Sequence, residues 1–311
     1  MLHNISKNIL ETIGNTPLVK LNKIIPQHCA DIYVKLEYFN PTGSYKDRMA
    51  LAIVEEAEKR GDINPGGTFV EFTGGSTGTS LAFVCAVKGY KLKAVSSDAF
   101  AKEKLQSIKL FGADLDIIKS DGGKITPELF IQMQERVRQL VKEHGYYWTK
   151  QFYNTDAKIG YANLGKELIQ QLNKQIDIFC AGVGTAGMLS GVSKELKKAN
   201  AQTKVIALEP ASAAFLSKGI KGSHRIEGVA SGIIPPLLTK DVYDEAKAID
   251  ETKARETARA LASMEGIFAG TSTGMNVCAA IELGKHLGPN HTVVTVACDS
   301  GMKYLAGDLY S

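Results

Sequence analysis

The chain has 311 residues, 44% of them hydrophobic and 23% charged, enough apolar material for a large core divided between two domains. Its 37 basic and 33 acidic side chains are interspersed and leave a formal net charge of +4, which points away from nucleic acid and towards a small organic substrate. Residues 1–10 hold no long apolar run and no stretch of 18 consecutive apolar residues occurs anywhere, so neither signal peptide nor membrane span is expected and the cytoplasm is the default address.

The first chemistry-bearing stretch is Asn40-Pro41-Thr42-Gly43-Ser44-Tyr45-Lys46-Asp47-Arg48, a turn-rich segment that feeds a helix running to about Arg60, before Gly61. A strand is predicted over 67–72, followed by the loop Thr73-Gly74-Gly75-Ser76-Thr77-Gly78 and a helix over 80–88 ended by Gly89. Next come a strand over 92–96, a helix over 101–111 and a strand over 114–119. The break Asp121-Gly122-Gly123 precedes a long amphipathic helix over 127–144, closed by Gly145, and a strand over 146–150. A domain boundary is expected near this point. In the second half, a strand over 176–180 enters Gly182-Val183-Gly184-Thr185-Ala186-Gly187, and a helix follows over 188–198. A strand over 203–208, helices over 253–264 and 275–287, and a buried strand over 292–297 complete the series. Strands alternating with helices define an α/β chain with mainly parallel sheets.

Both glycine-rich loops lie where a strand gives way to a helix, exposing backbone N–H groups at the positive end of a helix dipole, so each is a candidate anion site. The second satisfies G-x-G-x-x-G, and Glu209 ends the following strand about 20 residues on, where a ribose-binding acid is expected of a dinucleotide site. A nicotinamide-dependent oxidoreductase is therefore an open alternative at this point. Lys46 and Arg48 sit at the start of a helix, where each exposed cation opposes the dipole by about 0.3–1 kcal/mol. The same field lowers the pKa expected for Lys46 and favours the neutral amine that condenses with an aldehyde. The five cysteines (29, 85, 180, 278 and 298) are widely spaced and mostly within apolar stretches, as reduced core thiols are. The six histidines show no zinc-ligand spacing, so no metal is expected.

Several of these motifs, in fixed order, resemble the fold-type-II pyridoxal-phosphate enzymes and most of all the cysteine synthase (O-acetylserine sulfhydrylase) and cystathionine β-synthase family. Ile13-Gly14-Asn15-Thr16-Pro17-Leu18 is similar to the family's opening motif, and residues 40–48 are similar to its N-P-x-G-S-x-K-D-R motif. Residues 73–78 occupy the place of T-S-G-N-T-G, and 184–188 the place of the phosphate cup G-T-G-G-T. Gln151-Phe152-Tyr153-Asn154 resembles Q-F-x-N, and Gly270-Thr271-Ser272-Thr273-Gly274 resembles G-I-S-S-G. Gly228-Val229-Ala230-Ser231-Gly232 is similar to the loop beneath the cofactor, and Asp299-Ser300-Gly301 to the closing motif.

The resemblance implies that Lys46 carries pyridoxal 5′-phosphate as a Schiff base and later removes the substrate's α-proton. It implies that Gly184, Thr185, Ala186, Gly187 and Met188 hold the cofactor phosphate, and that Ser272 meets the pyridine nitrogen. Thr73, Gly74, Gly75, Ser76 and Thr77, with Gln151, are then the substrate-carboxylate site, Ser76 standing where an asparagine also reaches the cofactor. A hydroxyl at 272 need not keep the ring nitrogen protonated, which suits loss of a β-substituent. Without the surrounding motifs, Ser272 reads as a cap for a helix starting near Met275. The implied architecture is a larger domain of residues 1–35 plus 146–311 that binds the phosphate, and a smaller, mobile domain of residues 36–145 that carries the carboxylate loop, with the cofactor between them in a homodimer.

This sequence departs from the family at Gly74 (serine), Ser76 (asparagine), Ala186 (glycine), Met188 (threonine), Met302 (glutamate), Lys303 (arginine) and Thr155-Asp156-Ala157 (P-A-N). The expected activity is β-replacement on an activated serine, with O-acetylserine and sulfide as the leading pair. O-phosphoserine, homocysteine as in cystathionine β-synthase, and an amine nucleophile as in diaminopropionate synthesis are close variants. A catalytically degenerate, pyridoxal-phosphate-binding regulatory protein is the non-enzymatic alternative.

Overall fold

The computed structural model describes residues 5–230 and 232–311; Ser231, named above, lies outside them. In chain order its strands are β1 (Leu18–Lys20), β2 (Asp31–Leu36), β3 (Thr68–Phe72), β4 (Lys91–Ser97), β5 (Asp114–Ile118), β6 (Tyr147–Trp148), β7 (Ile178–Gly182), β8 (Lys204–Pro210), β9 (Glu245–Ile249) and β10 (Thr292–Ala297). Its helices are α1 (Lys46–Arg60), α2 (Ser76–Lys88), α3 (Lys102–Leu110), α4 (Pro127–His144), α5 (Asp156–Leu172), α6 (Gly187–Ala199), α7 (Phe215–Lys218), α8 (Glu251–Ala260) and α9 (Thr271–Leu287). The described residues divide into two compact units, one of residues 5–13 and 46–157, the other of residues 14–45, 158–230 and 232–311.

The first unit holds a four-stranded sheet in the order β5-β4-β3-β6, every pair parallel. Its strands read as apolar runs because both faces are covered. Phe69, Leu92 and Ala94 pack with Val54, Leu81 and Ile108, while Val70, Phe72 and Val95 pack with Leu129, Met133 and Val137 of α4. The period of two along β3 thus sends successive side chains into separate cores. The bounds of α4 are those read from the sequence, and its ends show why. The Thr126 side chain accepts from the Leu129 amide at 3.2 Å, and Gly145 leaves the helix with φ 68°.

The second unit holds a six-stranded sheet in the order β1-β2-β10-β7-β8-β9. Only the β1–β2 pair is antiparallel among the described residues. β10, buried along its whole length, stands between β2 and β7, as its unbroken apolar stretch requires. The spacing of the sequence does not predict β2, β9 or α5. β2 carries a lysine in its interior, Lys35, which the structure buries completely.

That lysine is paired. Its Nζ lies 2.7 Å from Glu167 Oε2 and donates to Thr16 O at 2.7 Å and Gln171 Oε1 at 2.9 Å. Nearby, the buried Glu37 accepts from Thr16 Oγ1 at 2.6 Å and Asn40 Nδ2 at 2.9 Å, and Asn40 Oδ1 accepts from the Gly14 amide at 2.9 Å. This lattice fixes residues 14–16 and Asn40, the first residue of the lysine motif. Removing one member strands the others, so Lys35→Met is expected to lower unfolding stability by about 3 kcal/mol in urea titrations. A change under about 0.5 kcal/mol, the scale of an ordinary surface substitution, would show that the lattice is dispensable.

Candidate active site

α1 begins at Lys46 itself, so the amine-bearing residue occupies the first helical position. Lysines are rarely buried, yet Lys46 is 8% exposed and its neighbours Asp47 and Arg48 are 0% and 4% exposed. On the same helix the Lys59 side chain is 65% exposed. The residues just before Lys46 belong to the other unit and are fixed there by backbone bonds: Tyr45 N donates to Cys298 O at 3.0 Å, and Ser300 N to Gly43 O at 3.0 Å.

In the unit of α1, the loop between β3 and α2 is organised from within. Thr73 Oγ1 accepts from the amides of Gly75 at 3.2 Å and Gly78 at 3.1 Å, leaving the hydroxyl proton to donate. Ser96 Oγ donates to Thr73 O at 2.7 Å. α2 starts at Ser76, one turn earlier than expected, after Gly75 and with no side-chain cap, so its first amides point out of the helix without an intrahelical acceptor. Gln151 is brought to this loop: Thr77 Oγ1 donates to Gln151 Oε1 at 2.8 Å, and Gln151 Nε2 donates to Phe72 O at 3.0 Å. One Nε2 hydrogen of Gln151 remains beyond that bond. The missing side chain at 74 has a structural counterpart. A Cβ on Gly74 would lie 2.4 Å from the Phe100 ring, and one on Gly75 would lie 2.9 Å from Lys104 Cδ. Phe100 fills the space a serine would need.

In the other unit, β7 runs into Gly184-Thr185-Ala186-Gly187-Met188. Val183 is held on both sides, its amide donating to Leu208 O at 3.0 Å and its carbonyl accepting from Ala230 N at 2.8 Å. A Cβ on Gly184 would come 2.3 Å from Gly228 O, so the loop at 228–230 allows no side chain there. Ala186 adopts the left-handed conformation, φ 66°, and caps α6 without a side-chain bond. The amides of residues 187–189 therefore have no acceptor within the helix, while Ser190 N closes the first turn on Ala186 O at 2.9 Å. Thr185 and Met188 are 7% and 4% exposed; Met188 contributes an amide to this turn and no hydroxyl.

Ser272 is the second residue of α9, which starts at Thr271 after Gly270, so the capping role that its sequence context allows is not the one it has. The neighbouring hydroxyls are engaged: Thr271 Oγ1 accepts from Glu227 N at 3.0 Å and Thr273 Oγ1 from Cys298 N at 3.1 Å. The Ser272 hydroxyl, 5% exposed, has no hydrogen-bond partner among the described residues. Asn276, which no motif singles out, ties this helix to the strand that leads into the cup. Its Oδ1 accepts from Gly182 N at 2.8 Å and its Nδ2 donates to Val296 O at 2.8 Å.

Glu209 is not a ribose ligand in this fold. It is 2% exposed, and its oxygens accept from Leu216 N at 2.7 Å, Ser217 N at 2.8 Å and Ser217 Oγ at 2.6 Å, which binds it to the start of α7. The dinucleotide reading loses its acid. The residues present do fit pyridoxal phosphate: amides without acceptors for a phosphate, a buried amine for a carbonyl, and a buried hydroxyl without a partner for a ring nitrogen.

A nearly buried lysine opening one helix and an amide cup opening another each suit an enzyme with a phosphorylated carbonyl cofactor. Comparison with known proteins gives the family. Residues 9–299 match the family of pyridoxal-phosphate dependent enzymes, and the chain belongs to it. It is 43% identical over 306 residues to a cysteine synthase of Staphylococcus aureus, covering 98% of this chain and 97% of that one. It is 36% identical over 309 residues to the O-ureido-L-serine synthase of Streptomyces lavendulae, covering 97% and 92%. Among solved structures, the O-acetylserine sulfhydrylase isoform 3 of Entamoeba histolytica superposes with a TM-score of 0.91 at 37% identity, covering all of this chain and 93% of that one. The fold is that of a fold-type-II pyridoxal-phosphate enzyme, and the cofactor is pyridoxal 5′-phosphate.

Two substitutions in the cup have opposite expected outcomes. Gly184→Ala forces backbone against backbone at Gly228 and should weaken cofactor binding by at least about tenfold, the equivalent of 1.4 kcal/mol, read from the absorbance of retained cofactor on dilution. Ala186→Gly removes the left-handed penalty of an alanine, partly offset by a freer unfolded chain, and should raise stability by about 0.5–1 kcal/mol.

Proposed function

We propose that this chain catalyses β-replacement on an activated serine, with O-acetylserine and sulfide giving cysteine as the leading pair. Supporting the reading are the buried Lys46 amine, a loop rich in amides and hydroxyls in the same unit, and kinship with a cysteine synthase. The cofactor, when bound, supplies an electron sink conjugated with the substrate's α-carbon. Lys46 would hold the cofactor by its amine, and its Nζ would be the base that takes the substrate's α-proton. The hydroxyl of Thr73, the amides of the first turn of α2 (including that of Ser76) and the remaining hydrogen of Gln151 Nε2 hold the substrate carboxylate, with Gly74 and Gly75 allowing close approach. The amides of 184–188 would hold the phosphate, and the Ser272 hydroxyl would serve the ring nitrogen without adding charge. The family kinship is also the basis for proposing a homodimer that works in the cytoplasm; among the described residues no helix is long and apolar enough to cross a membrane.

The observation that carries this reading is the burial of Lys46 at the first position of α1. Purified protein is expected to be yellow, and borohydride should fix a pyridoxyl group on the peptide that contains Lys46. Lys46→Ala should bind the cofactor without that fixation and lose at least about a thousandfold in kcat with O-acetylserine and sulfide. Full turnover by Lys46→Ala would overturn the assignment. Turnover by the wild type with an amine or homocysteine in place of sulfide, and none with sulfide, would move the proposal to another nucleophile within the same chemistry.

A further inference from the structure

A carboxylate inside an apolar strand calls for explanation, because burying it is costly unless every lone pair is met. β3 contains one: Glu71, fully buried between Val70 and Phe72 and two residues before Thr73. Its Oε1 accepts from Phe72 N at 2.9 Å and Trp148 Nε1 at 3.2 Å. Its Oε2 accepts from Thr149 Oγ1 at 2.6 Å and Gln151 N at 2.9 Å. Burial pushes the carboxyl's pKa up, and the four donors oppose that shift. All four partners are neutral, so this is a staple of hydrogen bonds joining the exit of β3 to the segment after β6. The segment it grips ends at Gln151, whose side chain in turn receives the Thr77 hydroxyl at 2.8 Å.

We propose that Glu71 is a positioning residue for the amino-acid substrate: by fixing the Gln151 backbone it sets the Gln151 amide and, through it, Thr77 of the carboxylate loop. This rests on the reading of residues 73–78 and Gln151 as the carboxylate site. The geometry also identifies which contact an isosteric change would break. In Glu71→Gln, the two N–H groups facing Oε1 can only donate, so the new amide oxygen must turn towards them. The new NH2 then faces Thr149, whose hydroxyl can reverse and accept, and Gln151 N–H, which cannot. Gln151 alone loses its partner.

The test uses the cofactor-loaded enzyme with O-acetylserine and sulfide. Glu71→Gln is expected to raise KM for O-acetylserine by about ten- to a hundredfold while kcat changes less than about threefold, since ground-state positioning and not chemistry is disturbed. The same change made in a Gln151→Ala background should add nothing further, because Glu71 acts through Gln151. Should Glu71→Gln fail to fold, Thr149→Val, which removes the other donor to Oε2, takes its place with an expected KM rise of about three- to tenfold. If Gln151→Ala raises KM and neither Glu71→Gln nor Thr149→Val does, or if either lowers kcat alone, the positioning role is overturned and the carboxylate site stands. If Gln151→Ala leaves KM unchanged, the carboxylate-site reading itself fails, and this proposal with it.

Discussion

A lysine amine is strongly hydrated, and taking one out of water requires that the surrounding structure supply what water did. Lys46 is nearly buried at the very start of α1, so the turn that leads to it must be held in place. The turn that delivers it is not held by apolar packing alone. Lys35, Glu37, Thr16 and Asn40 form a buried polar lattice that fixes Asn40, six residues upstream, and backbone bonds to Cys298 and Ser300 fix residues 43–45. A polar interior of this kind is satisfied only in one arrangement, which is how an amine acquires a defined place.

Each unit then repeats one local device, a parallel strand whose end opens into a helix without a side-chain cap. The two versions are tuned differently. After β3 the loop is shaped by its own threonine, with Thr73 Oγ1 gathering the amides of Gly75 and Gly78. After β7 the loop is shaped from outside, by the close approach of Gly228 to Gly184. One leaves a hydroxyl among its donors, as a carboxylate site uses. The other presents the amides that open α6 together with the Thr185 hydroxyl, as a phosphate site uses.

The α/β class and the alternation of elements were legible because parallel strands buried on both faces read as apolar blocks and because glycine ends several helices. α4 and β10 have the bounds read from the sequence. β2 and β9 were not legible, since Asp31, Lys35, Glu245 and Lys247 interrupt their apolar pattern and only partners distant in sequence neutralise some of those charges. α9 starts four residues before the Met275 that its sequence suggests, because Thr271-Ser272-Thr273-Gly274 has the composition of a loop. Glu209 misled for the opposite reason: an acid at the right offset from a glycine-rich turn says nothing about whether a neighbouring helix already holds it. Glu71 left a signal that spacing rules overlook, a single charge in Phe69-Val70-Glu71-Phe72, while Asn276 sits among small residues of a helix and announces nothing.

The pairing of Gly74 with Phe100 constrains both residues. With the aromatic ring occupying the volume beside residue 74, a serine introduced there alone meets a wall, and a smaller residue at 100 alone leaves a void beside the loop. The two positions are coupled: with the ring in place residue 74 is held to glycine, and a side chain there is expected to require a change at position 100 as well.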